Sequence, residues 1–337
     1  MSVDSATMNV TNRFDTLDHP RAVAIDAQDQ VHVTHLHAPV LRGIGGSEYV
    51  NDLRTANPVD LALEHNQVGV VGWRAMSATV SPGGNVLVAH VLSRPGQTAP
   101  SSEVGTVTET EEVTSGGGYG GTASSQTIIT TKRLTPPDLL RPIELAVTRV
   151  GMPHTNGAQP VVNRSNATMP TALVDQPSDI NHSPTHALAL AVGRGSDNVL
   201  ALDTSSGDPM ESPVGLFEVG QAPKAVVFSA DGMTAWVLND DAYSISVLDL
   251  SPVLGDALPA HVPRSASKEV AFAVDPLPTE LRAGRRVFNN AHNWRVSTRG
   301  RFACATCHPE GTEDKLTWIL PDGPRQTPSL TGRLEAT

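Results

Sequence analysis

Three side chains with obvious chemistry fall within five positions near the end of the chain: Cys304, Cys307 and His308 in Ala303-Cys-Ala-Thr-Cys-His-Pro309. Cys-x-x-Cys-His is the spacing by which a c-type haem is attached. Two thiols three positions apart on one helical turn reach the vinyl groups on one edge of a porphyrin. The next residue then comes under the iron, where a neutral imidazole is a good axial ligand. Three other chemistries use similar residues. A redox dithiol belongs with a thioredoxin-like βαβ pattern, which is absent around this stretch. A zinc site needs a fourth ligand, and the chain has no second cysteine pair. A disulfide between the two would close a very small loop and stabilise little. The chain has only two cysteines, both inside this pattern, so the sequence points to covalent haem c.

Other side chains take candidate roles around that centre. With haem present, His308 is the proximal ligand, and its second ring nitrogen is expected to donate to a backbone carbonyl. A sixth ligand is not visible: every methionine lies at or before Met233, and no histidine follows His308. His292 is either a borrowed ligand or a surface histidine. Arg325 is either a partner for a haem propionate or a solvated loop arginine. Trp318 either packs on the porphyrin edge or fills core. Far upstream, His32-Val-Thr-His35-Leu-His37 invites a metal reading. On a strand His35 and His37 share a face while His32 points away, and two ligands do not close a site. Asn163 and Asn166 begin sequons that also read as polar loop.

The elements that must position these groups follow from composition. The chain has 337 residues, 39% hydrophobic and 18% charged, with 28 glycines and 26 prolines. That suits a folded array of many short strands and turns. A net charge of −11 supplies no basic stripe for phosphates, so nucleic acid is not expected as a partner. No apolar run is long enough to cross a membrane as a helix. The N-terminus lacks the basic and apolar segments of a signal peptide.

Residues before about 275 read as strands and turns. The clearest unit runs Gly220-Gln-Ala-Pro223 to Leu250. Its strands are expected at 225–228, 234–238 and 244–250, with a tight turn at Asp231-Gly232. Fainter copies stand at 19–33, 75–89 and 185–203, broadly compatible with units of roughly 40–45 residues. A β-sandwich is the competing architecture, without the repeated turn chemistry. The segment 104–134 has Thr- and β-branched-rich flanks around a glycine tip. It reads as a long exposed hairpin or as a low-complexity linker. Pro276-Leu-Pro278 marks a boundary. A helix follows, with Thr279 expected as N-cap and Leu281, Gly284, Val287 and Phe288 on one face.

Residues 220–250 resemble the YVTN family of β-propeller repeats: G-x-x-P, an apolar strand, S-x-D-G, an aliphatic strand ending in Asn, and V-x-D-L. Residues 284–330 resemble the haem domain of the di-haem cytochrome c peroxidase and MauG-like family, through G-x-x-x-F, C-x-x-C-H-P and P-R-x-T-P-S-L. The chain departs from that family in having one C-x-x-C-H. The resemblance also implies a second helix crossing over Gly284, which the sequence does not contain. The expected fold is therefore mainly β. A β-propeller of YVTN/WD40-like blades (1–275, with the insertion at about 104–134) leads into a small, incomplete α-helical cytochrome c domain (276–337). The expected function is one-electron transfer through haem c carried by Cys304, Cys307 and His308, with a redox protein as partner and a periplasmic or extracellular location. Such a location fits a chain that is a piece of a longer, exported protein. Two alternatives stand beside it. One is a peroxidase or MauG-like oxidase in a full-length protein with a second haem. The other is a propeller that binds an unknown ligand or partner, with haem as a redox tether.

Overall fold

Three strands form where the 220–250 pattern placed them, each within two residues of its expected ends. They run Pro223–Phe228, Thr234–Asn239 and Ser244–Asp249. Gly232 makes the tight turn at a φ of 72°. A Cβ there would also lie 2.4 Å from Thr185 Oγ1 of the preceding unit, so space as well as backbone excludes a side chain. The Asp231 carboxylate accepts from Ser229 Oγ at 2.5 Å and from the Met233 amide at 3.0 Å, which fixes the turn.

This unit is the last of four similar sheets. The computed structural model describes residues 2–38, 40–44, 48–52, 71–93, 106–115, 124–133, 143–150, 158–162, 174–205, 213–255, 263–293, 296, 303–320 and 322–332. Strands β1 (Ser2–Val3) and β2 (Val10–Asn12) form a small antiparallel pair. Sheet 1 is β3 (Pro20–Ile25), β4 (Val31–His35), β5 (Val40–Ile44) and β6 (Tyr49–Asp52), in that spatial order. Sheet 2 is β7 (Val71–Val80), β8 (Val86–Ser93), β11 (Ile143–Val150) and β12 (Ala158–Val162). Between β8 and β11, β9 (Thr106–Ser115) and β10 (Ser124–Arg133) pair in unbroken antiparallel register, a hairpin across the 104–134 insertion. Its glycine tip, 116–123, and both sequons lie outside the described residues. Sheet 3 is β13 (Pro177–His182), β14 (Leu188–Gly193), β15 (Asn198–Asp203) and β16 (Pro213–Glu218). Sheet 4 is β17 (Pro223–Phe228), β18 (Thr234–Asn239) and β19 (Ser244–Asp249). After the single-turn helix α1 (Ser251–Leu254), β20 (Pro263–Ser265) adds parallel to β16 and β21 (Lys268–Ala271) adds antiparallel to β19.

The sheets stack face to face in sequence order. One apolar cluster joins Leu41 of sheet 1 to Ala75, Val86, Val88 and Val150 of sheet 2. A second joins Leu87, Ala89, Leu145 and Val147 of sheet 2 to Ile180, Ala189, Ala191, Leu200 and Leu202 of sheet 3. A third joins Leu190, Val192, Val199 and Phe217 of sheet 3 to Val226, Ala235, Val237 and Leu248 of sheet 4. Strand β14 is buried along its whole length because alternate residues face different neighbours. Sheets 2 and 3 thus differ from sandwich sheets, which bury one face each. The first strands β3, β7, β13 and β17 meet their neighbours in turn. Asp179 on β13 ties three of them together. It accepts from Ser77 Oγ on β7 at 2.7 Å and from the Val226 amide on β17 at 2.9 Å. The architecture is mainly β, built from successive small antiparallel sheets in blade-like order.

Three first strands are entered through a residue with left-handed backbone, His19 (φ 55°), Gln176 (φ 52°) and Ala222 (φ 50°), and Arg74 (φ 54°) takes the same conformation at the bulge within β7. The three entry residues precede proline, which disfavours the right-handed helical region. In sheets 1, 3 and 4 the carbonyl of that residue accepts an amide just past the second strand. The pairs are Leu36 N to His19 O at 2.9 Å, Arg194 N to Gln176 O at 3.0 Å and Asp240 N to Ala222 O at 3.1 Å.

The region after 275 has little helix. Helix α2 covers Thr279–Asn289, with Pro278 at the N-cap position. Thr279 is therefore the first helical residue and not the cap; its hydroxyl accepts from Arg282 Nη2 at 3.2 Å instead. The expected apolar face is open: Leu281 is 58% exposed, Val287 39%, and a Cβ on Gly284 would meet nothing within 4 Å. Helix α3 is the single turn Cys304–Cys307, and β22 (Thr317–Leu320) with β23 (Gly323–Gln326) closes the described chain as a hairpin.

The histidines give a pH signature. His90 on β8 is fully buried, its Nε2 lies 2.8 Å from Thr148 Oγ1, and burial pushes its pKa down to about 4. Burial also lowers the pKa values of His35, His37 and His182. A group whose folded pKa is depressed below 6.5 contributes stability that is present above that pH. The contribution is lost as pH falls through the folded value. The urea midpoint should therefore decline steadily between pH 6.5 and 4, and His90→Gln should flatten that decline; a wild-type midpoint level across the range contradicts it.

Candidate functional site: the Cys304–His308 turn and its seat on the sheets

The Cys304–His308 turn is held mainly by residues of the sheets. Within the turn, Thr306 Oγ1 accepts from the Ala303 amide at 2.9 Å, and the His308 amide donates to Cys304 O at 2.9 Å. The Thr306 hydroxyl then donates to Asp175 Oδ2 at 2.7 Å, leaving the strand entry of sheet 3 bonded to the centre of the motif. From sheet 2, Arg74 Nη1 donates to Ala305 O at 2.9 Å, and Nη2 reaches Gln176 Oε1 at 3.5 Å. Gln176 Nε2 donates to Asn289 O at 3.1 Å, at the end of α2. Arg74, at the β7 bulge, and Gln176, at the entry of β13, both have left-handed backbone, and these bends aim the two side chains at the turn.

Arg74 is 7% exposed, and burial lowers its pKa to about 10, so it stays a cation at neutral pH. Burial raises the pKa of Asp175, opposed by the Thr306 hydroxyl and the Arg74 charge. The two buried ions compensate each other and leave few unsatisfied atoms, although Arg74 Nε has no partner among the described residues.

The thiols are free and unequal: Cys304 is exposed and Cys307 half-buried. Cys307 packs with Leu316 and Trp318 against Val91 and Ile143 of sheet 2. Its thiol is pushed up to about 12 by burial, then by the charges of Asp314 and Asp175. Asp314, 2% exposed, organises the lid over it. Its carboxylate accepts from the Leu316 amide at 3.0 Å, Trp318 Nε1 at 2.8 Å and Thr327 Oγ1 at 2.8 Å. Trp318 thus lies in one apolar cluster with Cys307. Arg325 does not join it. It is exposed on β23 and donates to Pro324 O at 2.9 Å and Asp322 O at 3.3 Å within its own hairpin. The expected backbone bond of His308 is not made: Nδ1 is buried with no partner among the described residues. The reason is local, since α3 ends at His308 (φ −112°, ψ 65°) and the chain turns away through Pro309–Gly311.

The remaining histidine expectations resolve into structure. His32 Nε2 lies 2.9 Å from the buried Asp26 carboxylate. Strand β4 ends at His35, so His37 is not on a shared strand face; it stacks edge-on with His19 at 4.9 Å. Among the described residues no group of three potential ligands is gathered to hold a metal ion. His292 is exposed and donates its amide to Asn290 Oδ1 at 2.7 Å.

The described residues between 275 and 318 meet all four sheets in reverse order. Arg285 of α2 pairs with Asp241 of sheet 4 at 3.1 Å and with Asp275. Asn290 Nδ2 donates to Asp197 at 2.8 Å and the Ala291 amide to Gly195 O at 2.7 Å, both in sheet 3. The Thr306 and Arg74 bonds come next. Glu310 then pairs with Arg21 of sheet 1 at 2.8 Å. Sequence reasoning missed Arg74, Asp175, Gln176 and Asp314. The only signal was the strand-entry position, Gln176 before Pro177, whose side-chain direction is not written in the residue type.

No family model matches the chain, and no curated protein matches it in sequence. Solved structures align to it at low identity. The periplasmic gluconolactonase PpgL of Pseudomonas aeruginosa is 13% identical with a TM-score of 0.45; the match covers 82% of this chain and 64% of that one. Hydrazine synthase of Kuenenia stuttgartiensis is 14% identical with a TM-score of 0.29, covering 74% and 88%. Virginiamycin B lyase of Staphylococcus aureus is 13% identical with a TM-score of 0.26, covering 76% and 85%. None of these values carries an argument about activity.

The seat makes three expectations concrete. Arg74→Met leaves Ala305 O without its donor and the buried Asp175 carboxylate without the Arg74 charge, so unfolding free energy should fall by about 3 kcal/mol; a change below ~1 kcal/mol contradicts the assignment. In the haem-free protein, iodoacetamide should label Cys304 at least about tenfold faster than Cys307. Because the folded Cys307 pKa lies above the unfolded 9.0, stability should be lost as pH rises from that value to about 12, and Cys307→Ala should remove that component.

Proposed function

We propose that the chain is a redox carrier in which haem c is attached at Cys304 and Cys307 and ligated by His308, on a turn seated across a β-propeller. The observation that carries the reading is the turn itself. Two free thiols stand on one helical turn, followed at once by an imidazole whose Nδ1 is buried with no hydrogen-bond partner among the described residues. That donor set fits the group: sulfur twice at vinyl spacing, and one nitrogen not committed to the protein. Haem bound there supplies a one-electron iron couple.

The chain's own residues supply the rest. Cys304 faces solvent, where an attachment machinery can reach it. Cys307, Leu316 and Trp318 form the apolar wall that a porphyrin edge would meet, and keep water from that side. Asp314 holds the Trp318 indole in a fixed orientation. Arg74 and Asp175 fix the turn from below, so the position of His308 is set by the sheets. These roles are consistent with electron transfer and name no substrate. The blade-like order of the sheets supports the YVTN-type propeller; the open apolar face of α2 is compatible with an incomplete cytochrome domain. An exported location follows from where haem c is attached.

Expression into the periplasm of a host with a c-type maturation system tests this. The expected product carries a Soret band that survives acid-acetone extraction and denaturing electrophoresis. Cys304→Ala with Cys307→Ala should abolish the covalent band. Processed wild-type protein that is colourless, or that holds zinc on its thiolates, contradicts it.

A further inference from the structure

A second site lies where helix α2 leaves sheet 4, away from the Cys304–His308 turn. A cavity of about 670 Å³ opens there, within the range that takes small organic ligands. Its wall carries Asp241, Glu269 and Asp275 from the sheet side and Arg282, Arg285 and Arg286 from α2. Three cations and three anions suggest neutrality, but the pairing is uneven. Arg285 takes up two carboxylates, bonding Asp241 at 3.1 Å and Asp275 as well. Glu269 is engaged by the Ser244 hydroxyl at 2.5 Å. Arg282 and Arg286 are left with no ion pair among the described residues. Arg282 bonds only the Thr279 hydroxyl, at 3.2 Å, and its Nε is buried without a partner.

Arg282 and Arg286 are four residues apart on one helix, so they project side by side. Like charges at that spacing repel and weaken a helix by a few tenths of a kcal/mol unless something neutralises them. Two parallel guanidinium forks are matched by the planar oxygens of a carboxylate or by a phosphate. The same cavity offers Glu269 and the Gln221 side chain for a polar body. Neither arginine makes an ion pair or hydrogen bond to the sheets among the described residues, a task that Arg285 performs, and Arg286 only adds its charge to the field at Asp197.

We propose that this cavity binds a small organic oxyanion, a carboxylate or phosphate compound, gripped by Arg282 and Arg286. A bound anion would bridge α2 to the loops of sheet 4, and so would strengthen the docking of the segment that carries the cysteines. This inference does not depend on haem.

Thermal unfolding and calorimetric titration of the intact chain with sodium phosphate and sodium succinate provide the test, with sodium chloride at equal ionic strength as control. At least one of the two should raise the melting temperature saturably beyond chloride. In R282Q/R286Q its affinity should fall at least about tenfold, since both charge-assisted contacts are lost, with the melting temperature in chloride retained. The wild-type protein gives an independent measurement: the bound anion should protect Arg282 and Arg286 from phenylglyoxal, read by peptide mapping, while Arg325 remains reactive. No saturable effect of either anion, or equal binding by the double variant, overturns the proposal. So does unprotected labelling of both arginines.

Discussion

A guanidinium removed from water is costly unless hydrogen bonds and an opposite charge meet it, and Arg74 is the one that decides this structure. It sits in a bulge of β7, buried, and its hydrogens are divided between the carbonyl of Ala305 and the side chain of Gln176, beside the Asp175 carboxylate. The two buried charges tolerate each other's company better than separation. Their hydrogen bonds run from two sheets into one turn, so the turn has a single position. The three side chains of the motif are placed by that arrangement: Cys304 outward, Cys307 against the apolar wall, His308 at the end of the turn.

The sheets make the arrangement possible by repetition. Three begin with a left-handed residue whose carbonyl is held in the same backbone bond, and sheet 2 has its left-handed residue at the β7 bulge. Residues with strained backbone cost of order 1–3 kcal/mol each. Face-to-face burial of Leu, Val and Ala between successive sheets offsets it. The array thereby presents a row of equivalent positions along one end. The segment from α2 to β22 uses that row as a track, touching sheets 4, 3, 2 and 1 in turn. Its own core is small, and its apolar helix face stays open, so its order is borrowed from the sheets.

Much of the strand pattern was legible in the residues. Period-two alternation and the Asp231-Gly232 turn marked β17, β18 and β19, and the fainter copies at 19–33, 75–89 and 185–203 fall on the strand pairs of sheets 1, 2 and 3. Less legible was anything that depends on two distant segments meeting. Arg74 and Asp175 look like ordinary loop charges in the sequence, because charge type says nothing about which carbonyl a side chain will find. Thr279 looked like a cap because caps are assigned by residue type, whereas Pro278 holds the position by backbone geometry. The same limit applies at the turn: spacing named Cys304, Cys307 and His308, but gave no sign that Asp314 would clamp Trp318 beside Cys307, or that Arg325 would turn outward.

Hydrogen–deuterium exchange read peptide by peptide reports most directly on whether the sheets order the turn. In the wild-type chain, peptides spanning 303–320 should be protected to nearly the same degree as those of β14 and β15. In Arg74→Met, protection at 303–320 should fall steeply while β14 and β15 keep theirs. If 303–320 exchanges as fast as an unstructured peptide in the wild-type chain, or is unchanged by Arg74→Met, the turn is not held by its seat and this account is wrong.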